Sequence, residues 1–389
     1  MNLCFVNPSI AQRPEIYELA KHLPKKYHIT ILQPSNKIQL IKEFDFQENI
    51  HVKNVTAFFI PIGNSAMTLP HFNVWTKELL TQFDGASCDL IHFCDYEYMT
   101  SLCPLMIRKS LRVPMVIVND SLLGVGGYSL GSPTLDLLSR VYTLSLGKKI
   151  LQAYDCVVFL YSKLTERARE LGVSSHKIRT IPNGIDVDEI ESIGESLDPA
   201  SIRSKYGIEQ DERIILFVGR LVNVKRINVL IEVVKNLVQQ GCNVRALIVG
   251  DGPLRTQLES MASSIKDRVV FTGSLFGKEK YECYFGADLF MLPSYSEGLP
   301  TVLLESSAAG LPAVATNVNG IPDIVVHNET GFLVDRCDFE SFVKYARTLI
   351  GNEDLAKRMG RKAREHVKVN FSWEVIARQY EEAYLSLLH

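Results

Sequence analysis

Short apolar runs alternate with helix-length amphipathic stretches from one end of the chain to the other. In the first half the runs are residues 2–6, 29–32, 52–59, 90–93, 115–118 and 156–160. Helical stretches such as 14–22, 75–83 and 135–153 intervene. The pattern restarts at 213–218 and continues through 244–249, 269–271, 289–292, 313–315 and 332–334. Runs this short and this continuously apolar read as strands buried on both faces, and parallel strands need a crossover helix between them. The chain is therefore expected to be α/β, with two parallel sheets covered by helices. Between Pro182-Asn183-Gly184 and Arg213 lie a turn signal, the charged run Asp186-Val187-Asp188-Glu189 and no strand. That interval separates two units, taken as residues 1–190 and 191–371. The last pattern, 373–388, is one amphipathic helix with no strand after it.

A chain of 389 residues, 46% hydrophobic and 22% charged, is long enough for two separate cores. Its net charge of −2 gives no global argument for nucleic acid. Eight cysteines without a C-x-x-C pair read as buried free thiols in a reducing cytoplasm, not as a disulfide or zinc framework. No H-x-x-x-H occurs, and Asp186-Val187-Asp188 reads as a solvated loop, so no metal is expected. The N-terminus lacks the basic start and long apolar run of a signal peptide, and no run is long enough to span a bilayer. Cytoplasmic location is expected. Peripheral membrane contact would use Arg13, Lys21, Lys25 and Lys26 with the aromatic stretch holding Phe58, Phe59, Ile60, Phe72 and Trp75. Ordinary packing explains such aromatics more often than membrane contact does.

One segment concentrates the chemistry. Ser294-Tyr295-Ser296-Glu297-Gly298-Leu299-Pro300 leads into a helix that carries Glu305 and stops at Gly310 and Pro312. Pro300 suits a first helical turn, where its missing N–H would be unpaired anyway. The free N–H groups of that turn favour an anion, and carboxylates are good acceptors for sugar hydroxyls. The loop Gly219-Arg220-Leu221-Val222-Asn223-Val224-Lys225-Arg226 follows an expected strand and offers cations for a diphosphate. Gly250-Asp251-Gly252-Pro253 and Gly273-Ser274-Leu275 are two further strand-to-glycine turns. The glycine-rich 124–131 opens no helix directly. With no Walker A sequence and no G-x-G-x-x-G after the first strand, an ordinary NAD enzyme or P-loop ATPase is disfavoured. Paired carboxylates alone are also compatible with glycoside hydrolysis, but a hydrolase has no need of the basic loop.

At these residues the chain resembles the retaining glycosyltransferases of family 4, which have the GT-B fold. The resemblance rests on Gly219-Arg220-Leu221 with Lys225, Val249 to Pro253, Phe271-Thr272-Gly273, Ala287-Asp288 followed by Leu292-Pro293-Ser294, and Glu297–Glu305 with Ala309 to Pro312. Ile181 to Asp186 and Phe371-Ser372-Trp373 also match, and the likeness is thin before residue 150. It implies two Rossmann-like domains facing a central cleft, the second for a nucleotide-sugar donor, the first for the acceptor. Residues 372–389 would return to the first domain. Arg220 and Lys225 would hold the diphosphate and stabilise the leaving nucleotide without a metal. Glu297 would hold a sugar hydroxyl and Glu305 the ribose. Gly219, Gly250, Gly252 and Ser294 would line the donor site. Backbone N–H groups of Gly298, Leu299 and Thr301 would border sugar and phosphate, and Gly273 to Leu275 would face the base.

The resemblance further implies transfer of a hexose or N-acetylhexosamine with retention, from a UDP-sugar sooner than a GDP-sugar, and no other cofactor. The acceptor would be a glycan, a lipid-linked precursor or a small molecule of cell-surface synthesis. The first domain departs from the family. Residues 7–14 hold no glycine, and Asn119 stands where many members carry histidine. Asp120 is then the candidate base, or none is needed. His92 is a structural or a catalytic histidine. The departures also admit two rivals: a non-catalytic nucleotide-sugar-binding partner, or another GT-B enzyme such as a nucleotide-sugar epimerase.

Overall fold

Every strand expected from an apolar run is present, and two more appear. A computed structural model describes residues 1–7, 14–35, 47–58, 74–75, 88–97, 99–107, 112–125, 133–198 and 200–388. The first sheet contains β1 (Asn2–Val6), β2 (His28–Ser35), β3 (Ile50–Phe58), β4 (Val74–Trp75), β5 (Leu90–Cys94), β6 (Met115–Asn119), β7 (Cys156–Phe159) and β8 (Ile178–Thr180). Its order is β4-β3-β2-β1-β5-β6-β7-β8. All pairs are parallel except β3 with β4. Trp75 is expected in a helix over 75–83; it lies instead in β4, and residues 76–83 fall outside the described residues. β8 carries only Ile178 buried, which is why no apolar run announces it.

The second sheet contains β9 (Arg213–Val218), β10 (Val244–Val249), β11 (Val269–Gly273), β12 (Leu289–Leu292), β13 (Ala313–Thr316) and β14 (Gly331–Val334). Its order is β11-β10-β9-β12-β13-β14, wholly parallel. The chain builds outward from β9 in one direction and then restarts at β12 in the other. That reversal opens a crevice at the carboxyl ends of β9 and β12, where doubly wound sheets bind ligands.

The chain divides into two units, Met1–Gly184 with Trp373–His389, and Ile185–Ser372. The division falls at Gly184, not at residue 190, because Asp186 caps the helix Val187–Glu195 of the second unit by accepting from the Glu189 N–H at 2.8 Å. The Asp186-Val187-Asp188 signal is thus a helix cap, with Asp188 paired to Lys368 at 2.5 Å. Among the described residues no helix is long and apolar enough to cross a membrane.

The helix Trp373–Leu388 completes the core of the first unit. Trp373, Ile376, Tyr380 and Tyr384 pack with Phe5, Ile16, Tyr17 and Ile29. Tyr27 donates to Glu381 at 2.5 Å, and Lys26 pairs with the same carboxylate at 2.8 Å. His92, in the fully buried β5, packs on Phe5 and Tyr380 with its Nδ1 2.7 Å from the Tyr384 hydroxyl. Burial pushes its pKa down to about 3, so the imidazole is neutral at ordinary pH.

Two outcomes follow from this packing. A Cβ at Gly184 would lie 2.4 Å from the Trp373 indole, so Gly184→Ala should cost about 1–3 kcal/mol. Thermal unfolding monitored by tryptophan fluorescence checks it, and an unchanged midpoint contradicts the contact. His92 has a folded pKa below its unfolded one, so its contribution is complete above about pH 6.5 and is lost as pH falls towards the folded value. Chemical denaturation should show wild type losing about 2 kcal/mol more than His92→Asn between about pH 7 and pH 5. Parallel pH profiles would contradict the neutral, buried imidazole.

Candidate donor site

Three strand-end loops of the second unit are joined side by side by their backbones. The Gly219 N–H donates to Val249 O at 2.9 Å, Leu221 N–H to Asp251 O at 2.9 Å, and Gly250 N–H to Gly273 O at 2.8 Å. Gly250 has φ +135°, and a Cβ there would lie 1.9 Å from the Gly219 carbonyl oxygen. At Gly252 a Cβ would come within 2.5 Å of Leu221 O. The turn signals point these glycines at a ligand; the geometry makes the neighbouring loop their first requirement. Joined in this way, the loops hold Arg220 at the carboxyl end of β9. Arg220 is exposed and has no ion-pair partner among the described residues.

Lys225 ends a short 3₁₀ turn, Asn223–Lys225, and Arg226 follows in the left-handed region at φ 50°. A left-handed non-glycine residue is a strained backbone position that the surroundings must hold. Two contacts do so: the Arg226 guanidinium donates to Arg336 O, and Tyr295 N–H donates to Val224 O at 2.7 Å. Lys225 Nζ then lies 2.7 and 2.8 Å from the two Glu297 carboxylate oxygens. Ser294, fully buried, donates its hydroxyl to Glu297 at 2.5 Å. Glu297 is itself only 8% exposed. Lys225 follows β9 and Glu297 follows β12, so their pair stands at the reversal of the sheet order.

Asn319 is a member of this site that sequence reasoning missed. It is 2% exposed with φ 47°, and its side-chain N–H₂ donates to Glu297 O at 2.6 Å and Ser296 Oγ at 3.2 Å. Its carboxamide oxygen is buried without a hydrogen-bond partner. The next amide, Gly320 N–H, donates to Gly298 O at 3.2 Å. Asparagine tolerates the left-handed conformation, which is the signal Asn319-Gly320 offered.

The helix Thr301–Ala308 begins one residue later than expected, with Pro300 as its extended N-cap. Leu303 and Leu304 donate back to Pro300 O at 3.0 and 3.4 Å, leaving the Thr301 and Val302 amides at the open end of the helix. Its stop is the one the sequence announces. Gly310 has φ +75°, with Gly310 N–H to Ser307 O and Leu311 N–H to Ser306 O both at 2.9 Å. Gly298 is half-buried, Leu299 buried and Thr301 exposed. Glu305 sits on the second turn and pairs with Lys280 at 2.8 Å and the Tyr284 hydroxyl at 2.9 Å. Burial and the nearby Glu305 carboxylate raise the Tyr284 pKa, so it stays a hydroxyl donor. Lys280 and Tyr284 carry no motif, which is why the sequence did not expose them. Both glutamates therefore face an ammonium, an arrangement suited to polar binding. Gly273 and Leu275 are half-buried at the end of β11, outside these two clusters.

The other expected residues belong to the first unit. His92 packs among Phe5, Tyr380 and Tyr384 and also lines the cavity that Asp95 and Asp120 line. Asn119 is fully buried and accepts from Tyr96 N–H at 3.0 Å, a structural role. Asp120 is half-buried, and its N–H donates to Asp95 at 3.4 Å. Asp95, Glu97 and Asp120 bring carboxylate oxygens within 4.8 Å of one another at the ends of β5 and β6, a grouping invisible in the sequence. Asp95 and Asp120 also line a cavity of about 40 Å³ with Glu15, Asn183 and Trp373. Lys21 pairs with Glu18 at 3.0 Å; Arg13, Phe59, Ile60 and Phe72 lie outside the described residues.

Two family descriptions match the chain: Glycosyltransferase Family 4 over residues 16–189, and Glycosyl transferases group 1 over residues 198–366. Among relatives, N-acetyl-alpha-D-glucosaminyl L-malate synthase of Bacillus anthracis is 28% identical over 378 residues, covering 95% of this chain and 92% of that protein. A GDP-mannose-dependent alpha-(1-6)-phosphatidylinositol monomannoside mannosyltransferase of Mycobacterium tuberculosis is 29% identical over 245 residues, 60% of this chain and 62% of that one. Sucrose-phosphate synthase of Thermosynechococcus elongatus superposes with a TM-score of 0.76 at 22% identity, covering 99% and 98% of the two chains. Anabaena HepE in complex with UDP superposes with a TM-score of 0.74 at 18% identity, covering 99% and 100%. The structures share the fold, and the two descriptions together span most of the sequence. The chain belongs to the family 4 glycosyltransferases and has their GT-B fold.

Proposed function

We propose that this glycosyltransferase moves a hexose or N-acetylhexosamine from a nucleotide diphosphate sugar to an acceptor hydroxyl, with retention and without a metal. The observation that carries the reading is the Lys225–Glu297–Ser294 cluster at the sheet reversal, with Arg220 on the Lys225 loop and without an ion-pair partner among the described residues. In this reading the second unit holds the donor and the first receives the acceptor. Arg220 and Lys225 hold the diphosphate. Two Lys225 N–H groups are engaged by Glu297, and the third remains for a phosphate oxygen. Glu297 orients a sugar hydroxyl, and Glu305 accepts from the ribose. The amides of Gly298, Leu299 and Thr301 border sugar and phosphate, Ser294 fixes Glu297, and Gly273 to Leu275 face the base.

In the transfer step the bond from the anomeric carbon to the diphosphate oxygen breaks while the acceptor oxygen bonds on the same face. The departing phosphate oxygen takes the acceptor proton, so Glu297 forms no covalent intermediate. Asp120 is an acceptor-side base only if that phosphate is insufficient. Preorganised cations that stabilise charge on the leaving group make the largest contribution to such a step. A UDP-sugar is the proposed donor, and the GDP-mannose named for a relative makes a GDP-sugar its competitor. The phosphatidylinositol mannoside in that relative's name supports a lipid-borne acceptor, and the L-malate in another's a small one. Location at the inner face of the membrane belongs to the same proposal.

Arg220→Ala should lower kcat about 10²–10³-fold, equivalent to about 3–4 kcal/mol, with the fold intact. Steady-state assay of acceptor-dependent release of the nucleoside diphosphate measures it; full activity overturns the assignment of the loop. Donor binding should raise the unfolding midpoint, by about 2.7 kcal/mol of stabilisation at a hundredfold excess over Kd. A panel of UDP- and GDP-sugars read by thermal shift ranks the donors. Silence across the panel, with a response to unrelated cofactors, rejects the nucleotide-sugar reading.

A further inference from the structure

Exposed apolar side chains are concentrated in one part of the first unit. Of twelve large hydrophobic residues that are exposed among the described residues, seven fall between Leu105 and Leu146. The helix Pro133–Tyr142 continues through a π-helical turn, Thr143–Gly147, into Lys148–Ala153. Its polarity is inverted over residues 133–149. The residues buried there are Ser139, Thr143 and Gly147, whereas Leu137, Leu138 and Val141 are 63, 65 and 56% exposed. A surface helix ordinarily does the reverse.

The inversion has a structural origin. The buried face is shaped around Tyr96: its hydroxyl lies 2.7 Å from Thr143 Oγ1, and a Cβ at Gly147 would meet its ring at 2.7 Å. Thr143 Oγ1 also donates to Leu123 O at 2.7 Å, and Leu123 N–H donates to the Tyr96 hydroxyl at 2.7 Å. Small and hydroxyl side chains are required inward, so the aliphatic ones stand outward. The neighbouring helix Cys103–Ile107, which packs on Lys148–Ala153, adds exposed Leu105 and Met106 at 47 and 68%.

The charge around this ridge selects its partner. The continuous helix carries Arg140, Lys148 and Lys149 against one acid, Asp136, in a chain whose net charge is −2. Arg140 and Lys149 are exposed, as is Arg112. A second copy placed on this face would oppose like cations. A convex aliphatic ridge flanked by cations is the surface that lies in the headgroup plane of an anionic bilayer. We propose that residues 133–149, with Leu105 and Met106, dock the first unit onto anionic lipid. This surface differs from the one around Arg13 and Lys21 that the sequence suggested.

Co-sedimentation of the full chain with phosphatidylcholine vesicles, with and without phosphatidylglycerol, tests it. Wild type should bind only the phosphatidylglycerol vesicles, less tightly as salt rises. Leu138→Glu with Val141→Glu should weaken that binding at least about tenfold, and Arg140→Glu with Lys149→Glu should weaken it and flatten the salt dependence. All these side chains are exposed, and circular dichroism with the thermal midpoint should match wild type. Analytical ultracentrifugation identifies the rival occupant. No vesicle binding by wild type, equal binding by the variants, or a dimer that Leu138→Glu dissociates would each overturn the proposal.

Discussion

The loops of the second unit depend on one close approach. The backbone of Gly250 lies against the carbonyl of Gly219, at a distance no side chain would permit. It lets the β9 and β10 loops run together beyond their strands, tied by the Leu221–Asp251 hydrogen bond. The β9 loop then leads into the left-handed turn at Arg226 and presents Lys225 to Glu297. A methyl at Gly250 would separate the loops first and the ion pair second, without touching any charged group. Backbone contact and charge placement are thus one constraint seen at two levels.

The Lys225–Glu297 pair is largely withdrawn from water, with Lys225 20% and Glu297 8% exposed. Removing one partner from such a pair strands the other charge, which costs more than the pair contributes as a whole. Ser294 and Asn319 share the task of satisfying the Glu297 loop, one at the carboxylate and one at the carbonyl. Arg220, on the same loop as Lys225, has no ion-pair partner among the described residues. The buried carboxamide oxygen of Asn319 gives the same loop an acceptor held in place and unused by the protein.

How much of this was legible depended on whether a contact was local. The strands of both sheets announce themselves because burial on both faces leaves a continuous apolar run. β4 and β8 lack such runs and were missed. Pro300 and Gly310 bracket their helix because φ restriction and φ freedom are properties of single residues. His92 looked ambiguous because its partner, Tyr384, lies 292 positions away. Lys280, Tyr284 and Asn319 reach the glutamates from other elements of the second unit, and nothing in their own neighbourhoods records it. The glycines were found for an incomplete reason: they accommodate one another before they accommodate any ligand. The π-helical turn answers to Tyr96, a residue with no periodic relation to it.

The return of the last helix to the first unit has a consequence for synthesis. The first sheet is translated before the second unit, but Trp373, Ile376, Tyr380 and Tyr384 belong to its core and emerge only after that unit. Until then Phe5, Tyr17 and His92 lack the surface that covers them. The second unit, continuous from Ile185 to Ser372, has all its parts before the first does. The nascent chain therefore carries an open apolar face while the whole of the second unit is made, and of the two units the one begun first is the one finished second.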